Sequence, residues 1–214
     1  MKSFETTLGP KQGIRESLVQ VALAHIVQVK KIFTLPGKEC LCVNTFKQTF
    51  PQANIRAVER VKEDWESIIE NNVDCTLGTV QDYANQITRP TMHHDIIFLD
   101  YFSFLNKDVL TGIKSMIQNS FILHRGKKAI LGITLMKAIR QEKDDMLDFI
   151  NENVYLSKGV VPENTLAMVG HALHCWINRE NQTYLQKVEL LDSKEYRASE
   201  TSTPMYFYTF LIEK

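Results

Sequence analysis

Gly37 and Glu59 stand 22 positions apart, each near the end of a short apolar run: KIFTLPG breaks at Pro36-Gly37, and NIRAVER ends on Glu59-Arg60. That interval matches the roughly 20 residues separating a glycine turn from the ribose-holding carboxylate in nucleotide-binding sheets. The chemistry is elementary. A residue without a Cβ lets a ligand approach the backbone, and a carboxylate accepts hydrogen bonds from both ribose hydroxyls. Two later stretches repeat the pattern of apolar run and polar loop. LGTVQDY offers Gly78, Thr79 and Asp82, and DYFSF sets Asp100 and Tyr101 directly after HDIIFLD, the clearest buried-strand pattern in the chain. Each has a plainer reading: Pro-Gly pairs mark ordinary turns, Glu59 can cap a helix, and Tyr101, Phe102 and Phe104 can pack in a core.

A second constellation is HALHC, which aligns His171, His174 and Cys175. The spacing suits metal ligation, but it also falls on one helix face without a metal, and no second ligand pair completes a four-ligand set. No metal is expected. Cys40 and Cys42 form CxC rather than CxxC, and Cys75 is remote from both. Free thiols in a reducing, cytoplasmic setting are the expectation.

Positioning the four loops requires alternating elements. Apolar spacing predicts an opening amphipathic helix over 13–30, a strand over 31–35, a helical stretch over 39–50 and a strand over 54–60. A helix over 61–71 follows, with Val61, Trp65 and Ile68 on its apolar face, then a weak strand over 73–77 and a helix from Val80 to Gln86. The strand over 94–100 leads to a helix over 106–121 that Asn106 caps, and a strand over 128–136. Helices near 141–155 and 163–178 precede two strand-like runs, 185–193 and 205–213.

Strands alternating with helices imply an α/β fold, a doubly wound and mostly parallel sheet covered on both faces. The last two strands lack a helix between them, so they should pair antiparallel at one edge. In such a sheet the ligand crevice opens at the carboxyl ends of the strands, where strand order reverses. Residues 1–30 read as a helical extension and 31–214 as one domain.

Composition narrows the classes. The 214 residues carry 25 Lys+Arg and 25 Asp+Glu, a formal charge of zero that argues against an indiscriminate polyanion binder. Arg125, Lys127, Lys128, Lys137 and Arg140 read as solvated surface, with Lys137 and Arg140 best placed to meet a nucleic acid. No apolar run is long enough to cross a bilayer, and the first residues lack a secretory apolar core. Neither GxxxxGK[ST] nor GxGxxG occurs, which disfavours P-loop and nicotinamide enzymes.

Over about residues 31–213 the sequence resembles a class I S-adenosylmethionine-dependent methyltransferase. TLPGKEC stands for the glycine-rich turn, AVER for the strand ending in the ribose acid, LGTVQDY for the loop beside the adenine, and FLDYFSF for the loop near the transferred methyl. The resemblance implies a Rossmann-like seven-stranded sheet and S-adenosyl-L-methionine as cofactor. Pro36, Gly37, Glu59, Arg60, Gly78, Thr79, Asp82 and Asp100 would bind it. Asp100 would also orient or deprotonate the acceptor, and Tyr101 would shape the acceptor pocket. LPG followed by an acid and a cysteine is similar to divergent members from viral and mobile-element genomes, with nucleic acid as the first acceptor to consider. The chain departs from the family at three points: one glycine replaces a GxGxG turn, Thr79 follows Gly78 where an acid is usual, and DYFS lacks the prolines of Asp-Pro-Pro-Tyr. These departures sustain an alternative, a non-catalytic binding or assembly protein on the same fold. The oligomeric state is open.

Overall fold

The computed structural model describes residues 9–87, 93–121, 127–137, 142–154, 165–197 and 201–214. In chain order the elements are α1 (Pro10–His25), β1 (Lys31–Thr34), α2 (Leu41–Thr49), β2 (Asn54–Glu59), α3 (Lys62–Glu70), β3 (Asp74–Leu77) and α4 (Val80–Asn85). Then come β4 (Ile96–Asp100), α5 (Lys107–Phe121), β5 (Lys128–Met136), α6 (Glu142–Val154), α7 (Thr165–Asn181), β6 (Lys187–Tyr196) and β7 (Met205–Glu213). The strands form a seven-stranded sheet in the order β3-β2-β1-β4-β5-β7-β6.

Consecutive buried residues explain the centre of this sheet. Ile96, Ile97, Phe98 and Leu99 of β4 are all enclosed, as a parallel strand covered on both faces must be. Side chains alternate between faces along a strand. Ile96 and Phe98 join α1, α2 and α3 through Leu18, Phe46 and Ile68. Ile97 and Leu99 join α4, α5, α6 and α7 through Ala84, Ile113, Ile150 and Leu173. Strands β1, β2, β3, β4 and β5 run parallel. The chain winds outward from β1 to β3 and returns to β4 on the other side of β1, so strand order reverses between β1 and β4.

Two expectations shift, and a third holds with its strand order added. The first helix begins at Pro10 and ends at His25, with Ile26 already extended; proline suits a first helical turn because its missing N–H would have no partner there. Val61 is the residue before α3 and is exposed, not part of the helix's apolar face. The terminal strands do pair antiparallel, but β7 lies between β5 and β6. Met205 to Ile212 are therefore interior, and β6 forms the sheet edge.

Helix α1 belongs to the core. A Cβ on Gly132 of β5 would meet Leu18 Cδ1 at 2.9 Å and Phe98 Cδ2 at 3.0 Å. A side chain there would force Leu18 and Phe98 to shift, so the glycine eases the close approach of helix and strand. Asn106 caps α5 as expected, its Oδ1 accepting from Val109 N at 3.0 Å.

Candidate functional site

Four predicted loops leave the same edge of the sheet, at the carboxyl ends of β1, β2, β3 and β4. Gly37 adopts φ 60°, a left-handed conformation that favours glycine. Its carbonyl accepts from Cys40 N at 3.1 Å. Cys42 secures the start of the turn, its thiol donating towards Pro36 O at 3.6 Å. Pro36 is buried, while Gly37 is partly exposed.

At the end of β2, Glu59 turns back on its own chain. Its Oε1 accepts from Arg60 N at 2.7 Å and Val61 N at 2.8 Å, satisfying donors that precede α3. Its Oε2 makes no hydrogen bond among the described residues. Gly78 N donates to Glu59 O at 2.9 Å, tying the third loop to the second. Gly78 has φ 151°, again outside the range of ordinary side chains. Thr79 and Asp82 form a capping box on α4: Thr79 Oγ1 accepts from Asp82 N at 3.1 Å, and Asp82 Oδ2 accepts from Thr79 N at 2.9 Å. The Thr79 hydroxyl, then its backbone N–H, hold the Asp82 carboxyl below its ordinary value.

Asp100 has a different environment. Its Oδ1 accepts from Thr134 Oγ1 at 2.5 Å, and its Oδ2 lies 3.0 Å from Lys11 Nζ. The Asp100 and Lys11 side chains are only 9% and 13% exposed. Burial alone would raise the carboxyl's pKa, but Lys11, Thr134 and Arg15 outweigh it and hold Asp100 below its ordinary value. Arg15 lies one helical turn after Lys11 and is itself buried.

Beside this pair, a cleft of about 140 Å³ is lined by Lys11, Phe102, Met136, Tyr196, Thr203 and Met205. Met136, Met205 and Tyr196 are register partners across β5, β7 and β6. They lie at the same sheet end as Asp100, so the cleft opens over the β5–β7–β6 half. Tyr101 points elsewhere. Its hydroxyl packs against α5, where a Cβ on Gly112 would come within 2.6 Å, and makes no hydrogen bond among the described residues. Burial pushes its pKa up.

The structure thus gathers Pro36, Gly37, Glu59, Arg60, Gly78, Thr79, Asp82 and Asp100 along one edge, with Tyr101 directed into the α4–α5 seam. Sequence reading missed Lys11, Arg15 and Thr134. Arg15 left a signal, a cation inside the apolar series Ile14, Leu18 and Ala22. Thr134 left none. Of the basic residues, Lys128 pairs with Glu213 at 3.0 Å and Lys137 with Glu195 at 3.2 Å, while Arg125 and Arg140 fall outside the described residues.

No family model matches the chain, and no curated protein matches it in sequence. Solved structures share its fold. The plantazolicin methyltransferase BpumL, crystallised with a pentazolic desmethylPZN analog and SAH, has a TM-score of 0.57 at 8% identity, covering 98% of this chain and 86% of that one. The 1,6-didemethyltoxoflavin-N1-methyltransferase of Burkholderia thailandensis, crystallised with bound 1,6-didemethyltoxoflavin and S-adenosylhomocysteine, has a TM-score of 0.54 at 9% identity, covering 94% and 79%. HI0767 of Haemophilus influenzae, provisionally assigned as a methylase, has a TM-score of 0.53 at 15% identity, covering 94% and 89%. The fold is that of Rossmann-like methyltransferases: a mostly parallel seven-stranded sheet with antiparallel C-terminal strands, flanked by helices.

Proposed function

We propose that this chain is an S-adenosylmethionine-dependent methyltransferase. The observation that carries the reading is the set of Gly37, Glu59, Gly78 and Asp100 at the ends of adjacent strands around the point where strand order reverses. The residues suit the cofactor. Gly37 has the backbone conformation and missing Cβ that admit a ligand, and Glu59 Oε2 is available to a ribose hydroxyl. Pro36 shapes the same turn, while Arg60, Thr79 and Asp82 border the nucleoside side of the crevice.

The cofactor supplies an electrophilic methyl group on a sulfonium, so the protein's task is mainly positioning. Asp100, held ionised between Lys11 and Thr134, orients the acceptor or takes its proton. The cleft beside it is where that acceptor enters, and the exposed Phe102 offers a ring for a planar group to stack upon. Tyr101 does not line this cleft: its hydroxyl sits in the α4–α5 seam, so the acceptor pocket is shaped without it. Nucleic acid remains the first acceptor to assay, by the narrower likeness of LPGKEC to viral and mobile-element members. The four free thiols accord with a cytoplasmic setting. No helix among the described residues is long and apolar enough to cross a membrane.

A non-catalytic binding protein is the second reading, favoured by two contacts: Glu59 already uses one oxygen on its own backbone, and Lys11 covers Asp100. Calorimetric titration with S-adenosylmethionine and S-adenosylhomocysteine tests cofactor use. Labelled-methyl transfer over DNA, RNA, protein and small-molecule pools then separates the two readings. Binding without transfer selects the second; no heat with either ligand at millimolar concentration rejects both cofactor assignments.

A further inference from the structure

The HALHC run lies on α7, at the opposite end of the sheet from the crevice. One ring nitrogen from each of His171 and His174 and the Cys175 Sγ lie within 4.8 Å of one another. Cys175 Sγ and His171 Nε2 are 3.8 Å apart. In a tetrahedral zinc site, bonds of about 2.3 Å to sulfur and 2.0–2.1 Å to nitrogen put such ligands roughly 3.5 Å apart. The Cys175–His171 pair is close to that separation, and the third ligand has to move in by side-chain rotation. All three residues are partly exposed, so an ion can enter while the site remains partly shielded.

A second observation concerns His174. Its Nε2 lies 2.9 Å from Val188 O. The same Nε2 lies 3.1 Å from Asn178 Nδ2, so a carbonyl that accepts and an amide that donates compete for it. Metal-bound histidines usually donate their other ring N–H to a carbonyl or carboxylate, and Val188 O stands where it would receive that proton from His174. Val188 pairs with Ile212, which pairs with Ala129 near the amino end of β5. The cluster is therefore separate from the Asp100 cleft.

We propose that His171, His174 and Cys175 bind one Zn²⁺ ion at the β6 edge of the sheet. His171 and His174 each ligate through one ring nitrogen and Cys175 as thiolate, with its proton released to solvent and water in the fourth position. Two imidazoles and one thiolate favour a borderline-soft cation over Mg²⁺ or Ca²⁺. The ion pins successive turns of α7 together and, through His174, to the carbonyl of β6.

The test is titration of the full reduced chain with Co²⁺ as a spectroscopic stand-in, followed by displacement with Zn²⁺. One equivalent should produce thiolate-to-metal charge-transfer absorption, and Zn²⁺ should abolish it while Mg²⁺ leaves it unchanged. Cys175→Ser should remove the band. His171→Ala should weaken binding by at least about tenfold, since losing even an outer-shell partner costs ~10–100-fold. Circular dichroism of each metal-free variant verifies that it is folded. Absence of the band in the folded parent overturns the proposal. So does a band that survives in Cys175→Ser, which would assign the metal to another cysteine, or equal affinity in parent and His171→Ala.

Discussion

The two halves of the crevice edge are built by different physics. Over β1, β2 and β3, polar groups satisfy their near neighbours: Glu59 binds Arg60 N and Val61 N, and Thr79 and Asp82 bind each other. Over β4, β5, β7 and β6, Asp100 is held by Thr134 from the next strand and Lys11 from the first helix, both distant in sequence. The first half is local, exposed and cheap to rearrange. The second is buried and ionic, so losing one partner strands another charge. A ligand can displace the first kind of contact at little cost, which suits a cofactor turn. The second kind fixes a reacting group.

The largest effect should follow removal of Asp100. Asp100→Ala leaves the Lys11 ammonium without this carboxylate in a nearly closed site, and breaking a buried ion pair costs about 3–5 kcal/mol. Chemical denaturation should show a loss on that scale. Removing both charges, in Lys11→Met with Asp100→Leu, should recover much of it. A loss below ~1 kcal/mol, the usual level for an exposed pair, would erase the contrast between the halves.

The other end of β4 sharpens it. His94 lies buried before the strand, with Nε2 3.2 Å from Tyr83 Oη. Burial, then His93 and Lys31, push its pKa down from 6.5 to about 3. Between those values the unfolded chain holds a proton that the folded chain lacks. Stability is therefore complete above pH 6.5 and falls as pH drops towards 3, by about 1.4 kcal/mol per pH unit. The depressed carboxyl of Asp100 acts lower, with stability present above its ordinary 3.8 and lost as pH falls through the folded value. Urea midpoints measured from pH 7 to 5 isolate the imidazole. His94→Gln keeps a polar group near Nε2 and should flatten the slope; an unchanged slope would assign the acid sensitivity to another group.

The same division decides what could be read from sequence. Gly37 and Glu59 were legible because turns and caps follow from nearby residues, as was the alternation that builds the parallel sheet. Asn106 was legible as a cap for the same reason. Lys11 on Asp100 was not, because pairing a first-turn lysine with a central strand depends on α1 lying against β5, which Gly132 permits. The insertion of β7 between β5 and β6 was hidden too: MYFYTFLIE shows that a strand is buried, but not which neighbour covers each edge. Tyr101 reads from the sequence as shaping the acceptor pocket, but its hydroxyl lies in the α4–α5 seam, an orientation that depends on space left by Gly112 on another element.

Next in size is Glu59. One charge-assisted hydrogen bond from a ribose hydroxyl to Glu59 Oε2 is worth roughly 1.5–3 kcal/mol in favourable cases. Because Glu59 Oε1 also serves Arg60 N and Val61 N, Glu59→Ala should weaken S-adenosylmethionine binding by about 10- to 100-fold and cost about 1 kcal/mol of stability, as other lost caps do. Glu59→Gln keeps the shape but removes charge and should fall between. Glu63→Ala is the control, an exposed acid in the first turn of α3. Unchanged affinity in Glu59→Ala would remove the second strand from the cofactor site and leave Gly37 an ordinary turn.

The smallest effect separates a cap from a contact. Thr79→Ala removes the hydroxyl that accepts from Asp82 N and donates to Asp82 Oδ2 at 2.7 Å. A lost cap costs about 1 kcal/mol, visible as a modest fall in thermal midpoint. The capping box also holds the loop after β3 in one conformation, so S-adenosylhomocysteine affinity should fall several-fold as that preorganisation is lost. Thr79→Ser retains the hydroxyl and should restore both. If Thr79→Ala lowers stability while calorimetry returns the parent affinity, Thr79 and Asp82 only start α4, and the nucleoside is held by β1 and β2 without them. If stability does not change either, the box does not form in solution, and the exposed half of the edge is looser than its hydrogen bonds indicate.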